Sequence, residues 1–311
     1  MRDKQVFHQA PTTLAGEERD MSWFDPSITT WLRTLMPWPL VFILFTGLGE
    51  DIFYVALLLA GFWAYKKKES ILVVWVLLVS VLSNYWVKLV VANPRPNPSY
   101  WWTGIDASNY STPSGHAQNS AMLFGWLAVK AKRWWMYLLA VVLTVLIGVS
   151  RVYLGVHYLG DVVLGWALGL VLLSILLLME KPLSKTLSRY KTGYLYLALF
   201  LFGLAATFIS TYLLPQPPED NFGALGGLTM GVALGLLLER RFVNFTVEPL
   251  NGQKWRLVLR VVIGLMLVIG TMFGLAPFLP TTEVWLRALR YALVAIVGAF
   301  VWPAIFKAAR L

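Results

Sequence analysis

The chain has 311 residues, of which 58% are hydrophobic and only 14% charged, with 15 tryptophans. A soluble domain carries nearer a quarter charged residues, so composition excludes a water-soluble globular fold and points to an all-α, multispan helical membrane protein. The absence of cysteine excludes disulfides and thiolate metal sites, and the net charge of +10 sits in short loops between apolar runs, which argues against a nucleic-acid partner.

The first 38 residues read as a polar N-terminus ending in a short interfacial helix. The first apolar run starts only near Pro39, which is not the layout of a cleaved signal peptide. In "DPSITTWLRTLMPW", Asp25 suits a helix N-cap and Pro26 the first turn. Ile28, Trp31, Leu32 and Leu35 recur at helical spacing, with Thr29, Thr30, Arg33 and Thr34 elsewhere, so this helix is expected to lie in the outer interface.

Hydropathy then predicts about nine spans, at 39–64, 71–91, 114–130, 135–150, 160–179, 193–214, 222–239, 257–279 and 287–306. Alternate loops are basic. They hold Lys66, Lys67 and Lys68; Lys130, Lys132 and Arg133; Lys181, Lys185, Arg189 and Lys191; Arg240, Arg241, Lys254, Arg256 and Arg260; and Lys307 and Arg310. These make up well over half of the 26 Lys and Arg, and the positive-inside rule puts them in the cytoplasm. The expected topology is an integral protein of the cell (cytoplasmic) membrane, N-terminus outside and C-terminus inside. Within the first run, Glu50 and Asp51 follow Gly47 and Gly49. Two readings stand for this pair: a helix cap or kink, or carboxylates that line a site beside a lysine or arginine. In the seventh span Gly223, Gly227, Gly231 and Gly235 share one face, which favours close helix packing within the chain over a dimer seam.

Three polar stretches fall at the outer ends of spans. "KLVVANPRP" carries Lys88, Arg95 and Pro96; "PSGH" is Pro113 to His116; "SRVYLGVHYLGD" holds Ser150, Arg151, His157 and Asp161. Trp101 and Trp102, between the first two, read as interface anchors or as a border to lipid access. Alone, His157 and Asp161 at i, i+4 on one helix face are open to a salt bridge, a metal site or a catalytic pair. Two loops on one side can bring the three stretches together, and the expected pocket then holds three cations, two histidines and a carboxylate. Arginine forks and a lysine point charge suit a dianionic phosphate, and "SGH" at a helix start offers N–H groups to the same oxygens. A neutral imidazole is a competent nucleophile when a carboxylate holds its other nitrogen, a role that fits His157 and Asp161. His116 is then placed to protonate the leaving oxygen and later to activate water. His8 lies in the polar tail, and two remaining histidines with no H-E-x-x-H or carboxylate cluster leave no metal site. Arg287 and Arg290, near the outer end of the last span, are read as snorkelling or as headgroup contacts.

In this order and spacing, the stretches resemble the signature of the type-2 phosphatidic acid phosphatase superfamily, K-x6-R-P, P-S-G-H and S-R-x5-H-x3-D. Eleven positions match: Lys88, Arg95, Pro96, Pro113, Ser114, Gly115, His116, Ser150, Arg151, His157 and Asp161. The resemblance implies a helical phosphatase-like core and hydrolysis of a lipid phosphate or pyrophosphate without metal or other cofactor. It further implies a phosphohistidine on His157, acid–base work by His116, orientation by Asp161, and phosphate binding by Lys88, Arg95, Ser114, Gly115 and Arg151. On this basis residues 39–214 are expected to form the six-helix phosphatase-like core and 215–311 a three-helix C-terminal membrane extension. The nine-span layout is also similar to that of glucose-6-phosphatases, without a close motif match in the last three spans. The expected partners are a lipid phosphate substrate and membrane lipid, with no oligomeric state indicated. Competing functions are a lipid phosphotransferase with a non-water acceptor and a lipid or solute transporter. The absence of a convincing internal repeat, and ionisable groups gathered at one membrane face, weigh against transport.

Overall fold

The computed structural model describes residues 22–248 and 252–311, and every regular element in them is helical. His8 lies outside the described residues. The helices are α1 (Ser27–Leu35), α2 (Pro39–Gly47), α3 (Asp51–Ala64), α4 (Lys67–Val91), α5 (Gly115–Ala131), α6 (Trp134–Tyr153), α7 (Leu159–Leu187), α8 (Thr192–Tyr212), α9 (Gly223–Leu238), α10 (Trp255–Gly274), α11 (Val284–Ile296) and α12 (Trp302–Ala308).

Seven helical stretches in the described residues are long and apolar enough to cross a membrane, or up to eight if the bent pair α1 and α2 counts as one. The count therefore falls short of nine for two local reasons. The first expected span is split into α2 and α3, because Glu50 turns to an extended backbone (φ −75°, ψ 147°) at the cap of α3. The third, α5, runs in the same bundle but is only 17 residues long and carries Gln118, Asn119 and Ser120, which it buries against its neighbours, so length and composition alone do not count it.

Polar side chains also fix α1, against expectation. The helix begins at Ser27 with Pro26 at the cap position, and Asp25 Oδ1 accepts from Ser27 N at 2.8 Å. Ile28 is buried among Ala117, Val152 and Val162. Thr29 Oγ1 donates to Val152 O at 2.9 Å, and Arg33 donates to Tyr153 O at 2.9 Å and Tyr100 O at 2.7 Å. Thr29 and Arg33 thus bind the end of α6 and the loop between α4 and α5, while Trp31 and Leu35 face outward. The chain then bends by 116° into α2.

The register of the central helices is set by a buried polar ladder and by close backbone approach. Ser80 Oγ donates to Asn119 Oδ1 at 2.7 Å, Asn84 Nδ2 to Gln118 Oε1 at 2.8 Å, and Gln118 Nε2 to Ser80 O at 2.7 Å. In a low-dielectric interior each of these groups is costly without its partner, so the ladder locks α4 to α5. On the far side of α5, Cβ atoms at Gly165 and Gly169 would lie 2.6 Å from Ser114 O and 2.5 Å from Gln118 O. Only glycine lets α7 come this near. The α9 glycine stripe works similarly within the chain, since Cβ atoms at Gly227 and Gly231 would meet the backbone of Ala288 and Ala292 on α11.

Four of these helices have one polarity. Lys88, His116, Arg151 and Asp161 lie at one end of α4, α5, α6 and α7, with Lys67, Lys130, Arg133 and Lys185 at or beside the other. The site residues and the basic loops are therefore at opposite ends of the bundle.

Candidate active site

Asp161 is the buried hub of the site. Its carboxylate accepts from Ser111 Oγ, Thr112 Oγ1 and, at 2.8 Å, the backbone N–H of Tyr158. His157 Nδ1 lies 3.2 Å from Asp161 Oδ2. The pair does not share a helix face, as the i, i+4 spacing suggested. His157 stands in the turn before α7, and Asp161 reaches back from the first turn of that helix to cap its start. On the opposite side of the ring, Arg95 Nη1 is 3.1 Å from His157 Nε2. A guanidinium can only donate, so Nε2 is the acceptor and the ring proton sits on Nδ1, toward Asp161.

Arg95 is itself held by carbonyls: Ser108 O at 2.7 Å, Asn109 O at 2.9 Å and Val156 O at 2.8 Å. This leaves its fork in one orientation. Burial, and then the neighbouring Arg151, lower its pKa to about 10, so it stays charged at neutral pH. Burial, followed by the facing cations Arg95, Lys88 and Arg151, holds the His157 imidazolium well below the usual histidine range.

Lys88 and Arg151 complete the cationic wall. Lys88 is buried and donates to Tyr110 O. Arg151 Nη1 donates to Thr46 Oγ1 at 2.6 Å and is 3.8 Å from Glu50 Oε1, while its buried Nε has no partner. Ser114 Oγ is likewise buried without a partner, and Ser114 N donates to Asp161 O at 2.9 Å. Orphaned donors of this kind are what an anion satisfies. Opposite them, His116 Nε2 is 3.2 Å from Glu50 Oε1.

Lys88, Arg95, Gly115, His116, Arg151 and His157 all line one cavity of about 570 Å³, as do Glu50 and Asp51. Glu50 is thus both the break in the first span and a partner of the site, so its two sequence readings meet. Asp161 and Ser114 stand behind the wall. The same cavity is closed by Asp220, Arg287 and Tyr291 from the later part of the chain. Arg287 does not snorkel: it donates to Asp220 Oδ1 at 2.8 Å. Arg290 is buried and donates to the backbone of Met272, a residue of the cavity wall, at 3.0 Å, without lining the cavity itself. Trp101 and Trp102 are half-buried and tied into the loop fold. Trp101 Nε1 donates to Pro96 O at 2.9 Å, and Trp102 lies under the Arg33 guanidinium.

Sequence reasoning did not single out Ser111, Thr112, Asn84, Gln118 or Asp220. The visible signal was polar density where a span begins, in "STPSGHAQNS".

A family model described as the PAP2 superfamily matches residues 69–185, and one described as the PAP2 superfamily phosphatase transmembrane extension matches residues 223–311. Phosphatidylglycerophosphatase B of Bacillus subtilis is 33% identical over 140 residues, covering 41% of this chain and 68% of that protein. Lipid phosphate phosphatase delta of Arabidopsis thaliana is 27% identical over 219 residues, 62% of this chain and 51% of that protein. Sphingosine-1-phosphate phosphatase 1 of Mus musculus is 25% identical over 260 residues, 75% of this chain and 59% of that protein. The chain spans little more than half the length of the latter two.

Proposed function

The chain belongs to the PAP2 superfamily, as one of its membrane phosphatases, and from that premise we propose that it removes phosphate from a lipid monoester or pyrophosphate through a covalent phosphohistidine on His157. The observation that carries this reading is the bracketing of the His157 ring. Asp161 holds the Nδ1 proton, while the Nε2 lone pair faces Arg95 in the cationic cavity.

In the first half-reaction Nε2 bonds to phosphorus as the ester oxygen departs. His116 donates a proton to that oxygen. In the second, water gives a proton to His116 and attacks phosphorus, the N–P bond breaks, and inorganic phosphate leaves. Lys88, Arg95 and Arg151 neutralise the equatorial oxygens, with Ser114 and the α5 start at Gly115 as further donors. Charge stabilisation comes from side chains already positive, and a divalent cation in their midst would be repelled. This supports chemistry independent of metal.

The site is proposed to open on the outer membrane face, in the cell membrane, with the C-terminus cytoplasmic. The support is the placement of Lys67, Lys130, Arg133 and Lys185 at the opposite ends of the helices that carry the site.

The test is phosphate release by purified protein from a panel of lipid phosphates in EDTA, with ³²P trapping on denatured enzyme. Wild type is expected to turn over and to carry acid-labile label. His157→Ala is expected to do neither. Turnover that persists in His157→Ala, or is abolished by EDTA, would overturn the proposal.

A further inference from the structure

The site cavity does not end at the phosphate groups. Below Asp51 it continues into a second hollow of about 160 Å³, lined by Tyr54, Leu58, Phe62, Leu77 and Leu236. The two spaces share Asp51, Val55, Val81 and Leu228 in their walls, so they adjoin end to end. The polarity changes at Asp51. Above it stand the cations and histidines; below it the lining is aliphatic and aromatic.

The path is long and narrow. Asp51 and Phe62 lie on one helix, and their separation of eleven residues corresponds to about 17 Å of rise. That is close to one leaflet, about half of the ~30 Å hydrocarbon core. A space this long and this small in volume is a slot one chain wide. Its walls come from both halves of the molecule: α3 and α4 on one side, α9 and α11 on the other. The close α9–α11 contact at Gly227 and Gly231 holds these two walls together.

We propose that this slot holds the apolar tail of the substrate, and that the substrate is a single-chain lipid phosphate whose tail lies inside the protein between the core and the C-terminal helices. The proposal rests on the phosphatase reading above and deepens it. A tail in the slot is screened from water along its length, while its phosphate reaches His157 at the top. A second acyl chain has no room beside the first.

Two measurements test this. The first compares kcat/KM for a long and a short single-chain lysophosphatidate, a two-chain phosphatidate and a soluble aryl phosphate, in wild type and in Leu228→Trp. Val55→Trp serves as the second variant should Leu228→Trp fail to fold. Wild type is expected to favour the long single-chain substrate over both the short one and the two-chain lipid. A pocket contact of one methylene is worth roughly tenfold or more, so a tryptophan in the slot should cut the long-to-short ratio by at least about tenfold. An unchanged ratio, with all substrates slowed alike, or equal wild-type rates on one-chain and two-chain lipids, would overturn the slot. The second measurement needs no turnover. A single-chain lipid phosphate with a photoreactive tail end is crosslinked to the His157→Ala protein. Label in α3, α4 or α9 near Phe62, Leu77 and Leu236 supports the slot. Label confined to outward-facing residues such as Leu40 or Leu178 refutes it. Because this arm reads binding alone, loss of the phosphatase reading and loss of the slot give different results.

Discussion

Arg95 Nη1 lies 3.1 Å from His157 Nε2, and this contact occupies the lone pair that attacks phosphorus in the proposed mechanism. A phosphate entering the cavity offers Arg95 a better acceptor than a neutral ring, so substrate binding itself frees the nucleophile. Three carbonyls hold the guanidinium in place for this exchange. Arg95→Lys keeps the charge but loses the fork and its carbonyl anchors. Loss of one preorganised transition-state donor costs about 10²–10³ in rate, so kcat/KM of Arg95→Lys should fall by roughly that factor. A fall under tenfold, measured on the best lipid substrate, would show that charge alone suffices.

Asp161 and its hydroxyl donors should separate into two tiers. Asp161→Asn removes the charge that fixes the Nδ1–H tautomer of His157, and kcat should drop by about 10³–10⁴, as expected when an imidazole loses its orienting carboxylate. Ser111→Ala leaves Asp161 with Thr112 and Tyr158 N as donors, and the loss should be about tenfold, matching one hydrogen bond to a charged group. Single-turnover rates of phosphoenzyme formation measure both. Equal losses would mean that Ser111 acts on His157 directly, since its Oγ is also 3.3 Å from Nδ1.

The two tiers also mark what the sequence could and could not disclose. The eleven signature positions were legible because their order and spacing resemble a family's signature, and the cations, histidines and carboxylate among them because a phosphate suits such a pocket. Their partners were not. Ser111 and Thr112 are hydroxyls in a polar loop, where such residues are ordinary, and only the fold brings them onto Asp161. The His157–Asp161 spacing was read as a helix face because a four-residue interval does not say where the helix starts. It starts two residues after His157, which turns the same pair into a cap. Similarly, the polar residues Gln118 and Asn119 within α5 gave no sign in the sequence that they pair with Asn84 and Ser80. A cap or kink at Glu50 was one of two readings of the glycines before it, while its contact with His116 depended on the packing of α5 and had no signal in the sequence.

His157 gives a pH prediction with a definite sign. Its folded pKa is depressed by burial and by facing cations, so the ring stays neutral where a free histidine charges. With only three histidines in the chain, ¹⁵N-imidazole spectra can be assigned by substitution. The His157 signals should hold neutral values as pH falls through ~6.5, the ordinary histidine pKa. Below that pH the unfolded chain takes up a proton that the native site refuses. Stability should therefore be full above ~6.5 and decline as pH falls toward the folded pKa. A His157 titration centred near ~6.5 would contradict the cationic environment described for it.

Glu50 tests the acid half of the mechanism. Its Oε1 is 3.2 Å from His116 Nε2 and 3.8 Å from Arg151 Nη1, across the break that opens α3. A carboxylate there favours the imidazolium that protonates the leaving alkoxide in the proposed mechanism, and it competes with a bound phosphate for Arg151. Glu50→Gln keeps the size and a hydrogen bond but removes the charge. Its effect should follow the leaving group. General acid catalysis is worth about 10²–10⁴, and weakening it should slow an alkyl lipid phosphate by roughly tenfold or more. An aryl phosphate, whose oxygen leaves without a proton, should be slowed far less, and with Arg151 released its KM should fall. His116→Ala should show the same ordering more steeply. Equal slowing of alkyl and aryl esters in both variants would assign Glu50 and His116 to holding the phosphate rather than to moving the proton.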